Sequence, residues 1–414
     1  RLLARRRGPR RLSSKSRELR RTLDSMQGSI GLVLSGGGAR GAYEAGVLLH
    51  IAEHHPKILE RVKVVTGTSV GAVNAAFLAS RGLSPSCVNE LCDIWRSLAI
   101  DDLVSIDRRG VSELLAAGGK RLIGRAVESP PVGVLDVSGI TKIVAERTDW
   151  RGLRRVVRSG RLAAVGFAAT DIATGKTVFF VDHRDGVTAR WSKGEDSPRP
   201  ERTALGPLHV LASAAIPILF PPVAVAGRWF MDGGVRYNTP LSPALALGAE
   251  SLLIMTVRAA SDVHEDAPEG LFAGFGQIVG KVLDSVFLDR VGYDLDRLAR
   301  INDWLASMDE VAPAQRDAIC SAMSRRGRPT YRTVKYAHVQ PSRDLGALAS
   351  AHLGSAKGAG PFSFARVLRA LFQDDAGTTG DAASFLLFDG GYAETLIQQG
   401  RADGERADAS LAAL

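Results

Sequence analysis

The sequence predicts an α/β protein built on a mainly parallel central sheet. Three observations carry that expectation. Short, almost uniformly apolar runs recur at Ser29–Leu34, Val62–Val65 and Ser251–Val257, as in strands buried on both faces. Helix-length, alanine-bearing segments follow the first two, at Ala39–His54 and Val70–Ala79. The strand-to-helix junctions carry glycine clusters, "SGGGARG" (Ser35–Gly41) and "GTSVG" (Gly67–Gly71). Strand, helix, strand, helix at this spacing requires crossover connections, and so parallel neighbours.

The elements then follow in order. Ala39–His54 is apolar on almost every side, so it should lie inside the protein. Residues 85–160 read as mainly helical. Leu162–Thr170 and Lys176–Val181 are strands around the turn "DIATG". Trp191–Pro207 is a polar, proline-bearing loop, and Leu208–Ala215 a short helix. Val223–Ala226 and Arg228–Met231 form strands around Gly227, and Pro240–Leu247 is a helix. From Ala259 the character changes. Leu271, Phe275, Ile278, Val282 and Val286 mark one helical stripe, Leu288–Ala306 is a second amphipathic helix, and Tyr331–Val339 is a late strand. This divides the chain into a basic arm (1–28), an α/β unit (29–258) and a mainly helical extension packed on it (259–414).

Composition narrows the class. The 414 residues are 45% hydrophobic and 23% charged, typical of a globular protein with a sizeable core. The three cysteines, Cys87, Cys92 and Cys320, form neither a disulfide framework nor a metal motif, which suits a reducing compartment. The net charge of +9 belongs to residues 1–21, where ten basic side chains face Glu18 alone. The remaining 393 residues balance at 43 of each sign, so no nucleic-acid-binding face is expected. The arm is either a solvated tail or a dock for anionic membrane, at about 1 kcal/mol per basic residue near the surface. Salt-insensitive liposome binding would argue against the second role. No secretory signal is visible, and the most apolar segment, Val210–Ala226, holds three prolines and is short for a bilayer span. The expectation is a cytoplasmic protein, peripheral at the membrane if the arm docks.

Two readings compete for the glycines. Gly36, Gly38 and Gly41 satisfy G-x-G-x-x-G between a strand and a helix, the dinucleotide fingerprint. That fingerprint wants an acidic residue at the end of the second strand, where this chain has Thr66 and Gly67. What stands there is G-x-S-x-G, the setting of a nucleophile elbow, with Ser69 pushed out above the sheet edge. Both loops open on the same edge of a parallel sheet. Gly36, Gly37 and Gly38 then offer bare amides beside Ser69, as an oxyanion hole does. Arg40, one residue into the helix, ties the loop together or meets a lipid phosphate, and the tie is the preferred role.

A serine needs a proton acceptor. By chain order His264, His338 and His352 are candidates, but none adjoins a glycine turn or strand-end loop. "RWFMDGG" (Arg228–Gly234) offers Asp232 at the end of an apolar strand, entering a Gly-Gly turn at Gly233. A carboxylate shielded from water has its pKa raised and can act as a base. "FDGG" recurs at Asp389, between flanks that look helical, so Asp389 reads as a capping residue and Asp171 as a turn aspartate.

These residues resemble the patatin-like phospholipases over about Ile30–Val257. The resemblance rests on "GGGARG" (Gly36–Gly41), "GTSVG" (Gly67–Gly71), "ASAAIPILFPP" (Ala212–Pro222) and "DGG" (Asp232–Gly234), in the family's order. It implies a three-layer α/β/α fold and serine lipid acyl hydrolysis by a Ser69–Asp232 dyad. It also implies Gly36–Gly38 as oxyanion hole, Arg40, Gly41, Gly67, Gly71 and Gly233 as supporting residues, and no metal or cofactor. The substrate would be a phospholipid, lysophospholipid or acylglycerol. "LLFDGGYAETLIQQGRAD" (Leu386–Asp403) is similar to the C-terminal end of bacterial members. The stripe Leu271–Val286 caps the acyl cleft or touches a membrane, or packs on the core or in a homodimer interface, packing being the preferred role. Two alternatives stand beside the hydrolase: a nucleotide-binding module, which tight NAD binding in calorimetry would revive, and a catalytically weak lipid sensor, which fatty-acid binding without turnover would favour.

Overall fold

The computed structural model of the chain describes residues 26, 28–107, 112, 133–187, 189–191, 194, 197–259, 291–310, 312–326, 331–355 and 380–414. Most of the basic arm, the stripe Leu271–Val286 and His264 therefore lie outside the described residues. β1 (Ile30–Leu34) leads through a 3-10 turn (Gly38–Arg40) into α1 (Gly41–His54) and α2 (Pro56–Arg61). β2 (Val62–Thr68), α3 (Val70–Arg81), α4 (Pro85–Arg96) and α5 (Ile100–Leu103) follow. A small ribbon, β3 (Ser105–Ile106) with β4 (Leu135–Asp136), precedes α6 (Ser138–Arg147) and α7 (Trp150–Arg158). Next come β5 (Ala164–Asp171), β6 (Thr177–His183), β7 (Arg199–Arg202), α8 (Pro207–Ser213), β8 (Val223–Val225), β9 (Arg228–Asp232), α9 (Leu241–Ala246) and β10 (Ser251–Met255). The C-terminal part holds α10 (Val291–Asp309), α11 (Pro313–Arg325), β11 (Lys335–Val339), α12 (Leu345–Ser355), α13 (Gly380–Leu386), α14 (Gly390–Arg406) and α15 (Asp408–Ala412).

The main sheet runs β11-β10-β1-β2-β5-β6-β7, with β8 and β9 attached through β5. From β11 to β5 every neighbour is parallel, while β5–β6, β5–β9 and β8–β9 are antiparallel. Alternate residues of the central strands feed two separate cores, as the two-residue period of a strand requires. Leu32, Leu34, Val65, Leu253 and Met255 pack with α1 and α3 on one face. Val33, Val64, Leu252 and Ile254 pack with α9 and α10 on the other. The result is the expected three-layer α/β/α arrangement. β8 and β9 join through Ala226 and Gly227, at φ 49° and 79°, the paired positive values of a two-residue hairpin turn.

α1 is buried from Gly41 to Ala52, including Glu44 and His50. It lies between the sheet and α14, which explains a helix without a polar face. Two expectations change in detail. The segment read as a loop at Trp191–Pro207 contains β7, which pairs parallel with β6. Its residues Arg199–Arg202 are polar and largely exposed at the sheet edge, so no apolar alternation marked it. The late strand is shorter than read, Lys335–Val339, and it extends the same sheet beyond β10.

Candidate active site

Sheet register brings Ser69 and Asp232 together. β2 pairs with β5 as far as Thr68 opposite Ala168. Where β2 stops, β9 takes over that edge of β5, with Asp232 opposite Ala169. The residue after Thr68 and the last residue of β9 therefore reach the same level of one strand. Ser69 Oγ donates to Asp232 Oδ2 at 2.6 Å, both residues being buried.

Ser69 is held at φ 53° and ψ −124°, in a region L-residues avoid, at a cost of about 1–3 kcal/mol. The flanking glycines make that turn feasible. A side chain on Gly67 would run into the backbone of Gly71, and one on Gly71 into the carbonyls of Leu34 and Ser35. Ser69 also opens α3, whose N-terminal dipole end faces the site. Its N–H donates to Ser213 Oγ at 2.9 Å, and that hydroxyl donates to the Ala168 carbonyl at 2.6 Å. Ser213 had no role in the sequence reading, although it lies inside the quoted segment Ala212–Pro222.

Asp232 is fully shielded from water, and burial pushes its carboxyl up to about 7. The Ser69 hydroxyl and the Gly234 N–H (2.7 Å, to Oδ1) oppose that rise by favouring the carboxylate. Its main chain is pinned as well: N–H to the Ala215 carbonyl at 2.8 Å, and carbonyl accepting from Thr170 Oγ1 at 3.0 Å. Gly233 allows the turn to lie against the Ala168 carbonyl, where a side chain would not fit.

The glycine loop lies beside Ser69, so close that a side chain on Gly36 would press on the Ser69 Cβ. One expected detail changes. The Gly36 N–H donates to the Asn238 carbonyl at 3.3 Å, and Asn238 Nδ2 donates back to the Gly36 carbonyl at 3.4 Å. That engaged amide is not available as an oxyanion donor, because one N–H serves one acceptor well. Gly37 and Gly38 follow it into the 3-10 turn, and Gly38 lines the cleft together with Ser69. Arg40 is buried; its Nε donates to Ser384 at 2.8 Å and its guanidinium stacks on Phe385, 4.0 Å from the ring centroid. It thus ties the loop to α13. Gly41 makes room for Val70 at the start of α3.

Among the described residues, the other candidates are engaged elsewhere. His338 bonds Thr256 Oγ1 at 2.9 Å, with burial pushing its imidazole down to about 4. His352 pairs with Asp389 at 2.8 Å. Asp389 caps α14 through the N–H groups of Gly391 and Tyr392, as its helical flanks suggested. Asp171 accepts from the Thr174 N–H within its turn.

From Ser69 an apolar cleft, open to solvent at its mouth, runs along α3. Val70, Val73, Asn74 and Phe77 present one helix face to it, at the i, i+3, i+4, i+7 spacing. Trp95, Ile143 and Val144 close the sides, and Ile216 and Phe220 come from the segment before Asp232. Asn74 is the polar residue of that helix face, and it is satisfied: it donates to the Gly41 carbonyl and Glu44, and accepts from Trp95 Nε1.

The site thus sets a strand-end serine and a glycine loop at one edge of a parallel sheet, above an apolar cleft. The chain belongs to the patatin-like phospholipase family, whose model matches residues 32–245. Among solved structures, VipD from Legionella pneumophila aligns over 89% of this chain and 67% of its own, at 14% identity and a TM-score of 0.33. Human GIVD cytosolic phospholipase A2, solved with methyl gamma-linolenyl fluorophosphonate, aligns over 95% and 62%, at 12% identity and 0.34. ExoU from the type III secretion system of Pseudomonas aeruginosa, solved with SpcU, aligns over 86% and 70%, at 15% identity and 0.28. At these scores the family match alone carries the assignment.

Proposed function

We propose that this protein is a lipid acyl hydrolase, of phospholipase A, lysophospholipase or esterase type, in which Ser69 is the nucleophile and Asp232 the general base. The observation that carries the reading is the 2.6 Å bond from Ser69 Oγ to a carboxylate removed from water. Ser69 Oγ attacks the ester carbonyl as its proton passes to Asp232 Oδ2. The tetrahedral oxyanion rests on the amides of Gly37 and Gly38, where one donor is worth about 3 kcal/mol in the transition state. The C–O bond to the leaving alcohol breaks, and the alcohol takes the proton from Asp232. Water then gives a proton to Asp232 and its oxygen to the acyl carbon, and Ser69 recovers its hydrogen as the fatty acid leaves. A raised carboxyl suits this relay, because a base works best with a pKa near the working pH. The cleft supports a lipid substrate, because its apolar walls fit an acyl chain.

Ser69→Ala is expected to abolish labelling by a fluorophosphonate probe and to lower ester hydrolysis by about 10³-fold or more, with the fold intact. Labelling that persists at another residue, with activity retained, would remove Ser69 from the mechanism.

A further inference from the structure

Three histidines crowd the end of α1, in "HIAEHH" (His50–His55), away from the proposed chemistry. His50 lies nine residues beyond Gly41, roughly 14 Å along the helix axis. The C-terminal chain returns over this end. Asp408 opens α15, and its Oδ1 lies 2.7 Å from His50 Nε2 and 2.9 Å from His55 Nε2. The three ligand atoms sit within 4.8 Å of one another.

The cluster is held in place from both sides. The His50 ring stacks on His54, with centroids 4.5 Å apart and planes 22° apart. His54 Nδ1 lies 3.2 Å from the His50 carbonyl oxygen, which fixes the stack. On the opposite side α14 approaches so closely at Gly404 that any side chain there would press on the His50 ring. The His50 side chain is 4% exposed, while that of Asp408 is 49% exposed and leaves a way in from solvent.

We infer that His50, His55 and Asp408 form a binding site for a divalent transition-metal ion of the zinc type, which latches α15 onto the end of α1. Two imidazole nitrogens and one carboxylate oxygen suit zinc, cobalt or nickel; calcium and magnesium prefer all-oxygen shells. An ion held at 2.0–2.2 Å with near-tetrahedral angles separates its ligands by roughly 3.4 Å. The two His–Asp separations, 2.7 and 2.9 Å, are shorter, so Asp408 retreats by roughly 0.5–0.7 Å on binding, an easy movement for a half-exposed aspartate with two side-chain torsions. Both imidazoles then turn Nε2 lone pairs to the ion, and water completes the shell. The site joins residues 358 and 353 positions apart, so the ion cross-links the end of α1 to α15.

The test uses the untagged full chain, stripped with a chelator and titrated with zinc by calorimetry and with cobalt by visible absorption. One ion per chain is expected, with a cobalt spectrum of imidazole–carboxylate type and a melting temperature that rises with zinc. His55→Ala and Asp408→Ala, both at partly exposed positions, should each weaken binding at least about tenfold and remove the thermal response while ester hydrolysis stays unchanged. A folded parent chain that takes up neither metal, or uptake unaltered in both variants, overturns the site and leaves a hydrogen-bonded His–Asp contact. The readout is metal binding, so its failure would leave the lipid hydrolase reading untouched.

Discussion

Asp232 is closed off from water, and its chemistry follows from that. Its carboxyl is pushed up to about 7 by burial. Activity should therefore fall as pH drops through about 7, when the base takes up its proton; a rate that stays flat down to about pH 5 would contradict this assignment. Stability moves the other way. The folded chain binds this proton more tightly than the unfolded chain, where an aspartate titrates near about 3.9. Its contribution is full below about pH 4 and is lost as pH rises through about 7. Asp232→Asn should lower kcat/KM by about 10²–10⁴-fold, yet melt higher than the parent, by a margin that grows between about pH 4 and pH 7 and then levels off. Glu44, buried in α1 and pushed up to about 8, adds a parallel slope to both proteins, so their difference isolates Asp232. Ser69 and Asp232 were legible in the sequence because glycines mark where a backbone must turn sharply. Ser213 and Asn238 were not, because a serine or asparagine that bonds a distant main chain carries no local mark.

At the scale of elements, the pairing of α1 with α14 shapes the molecule beyond the family match. The two helices meet through glycines. A side chain on Gly46 would collide with the Ile397 carbonyl, and one on Gly400 with the Tyr43 carbonyl. Gly400→Ala is a contest between two effects. Alanine gains about 1 kcal/mol in helix propensity over glycine. The collision with main chain, which cannot rotate away, costs about 1–3 kcal/mol or more as the helices separate. The collision should win, so the variant is expected to unfold at lower urea concentration, by circular dichroism, than the parent; an unchanged or higher midpoint would mean the helices slide apart freely. The "GRADG" spacing was visible in the chain, yet nothing local said which helix it would face. β7 was missed for a related reason: an edge strand needs only one neighbour, and its polar residues resemble those of a loop.

For the whole molecule, the cleft decides what the proposed dyad can act on. It runs along α3 from Ser69 past Val73 to Phe77. One helical turn is about 5.4 Å, the length of roughly four methylenes. Val73→Trp should therefore block the path one turn beyond the nucleophile. Long acyl chains would lose roughly four buried methylenes, about 3 kcal/mol or about a hundredfold in kcat/KM. Butyryl esters should be nearly unaffected. A p-nitrophenyl ester series measures this, and an equal loss for short and long chains would place the acyl group elsewhere. The walls of this cleft come from α3, α4, α6 and the segment before β9, and Phe388 adds a contact from the C-terminal part.

By itself, the chain determined its fold class and the residues at the strand ends. Buried parallel strands must be apolar, and a sharp turn under a side chain must be flanked by glycine; both constraints are local and leave their mark in neighbouring residues. Only the tertiary structure decided that Ser69 and Asp232, 163 positions apart, share a hydrogen bond. It also decided that the Gly36 amide is spent on Asn238, that α14 closes over α1, and that Asp408 reaches His50 and His55. Those facts depend on how β5 offers one edge to two strands and on which backbones come close enough to touch. Distance along the chain does not encode either.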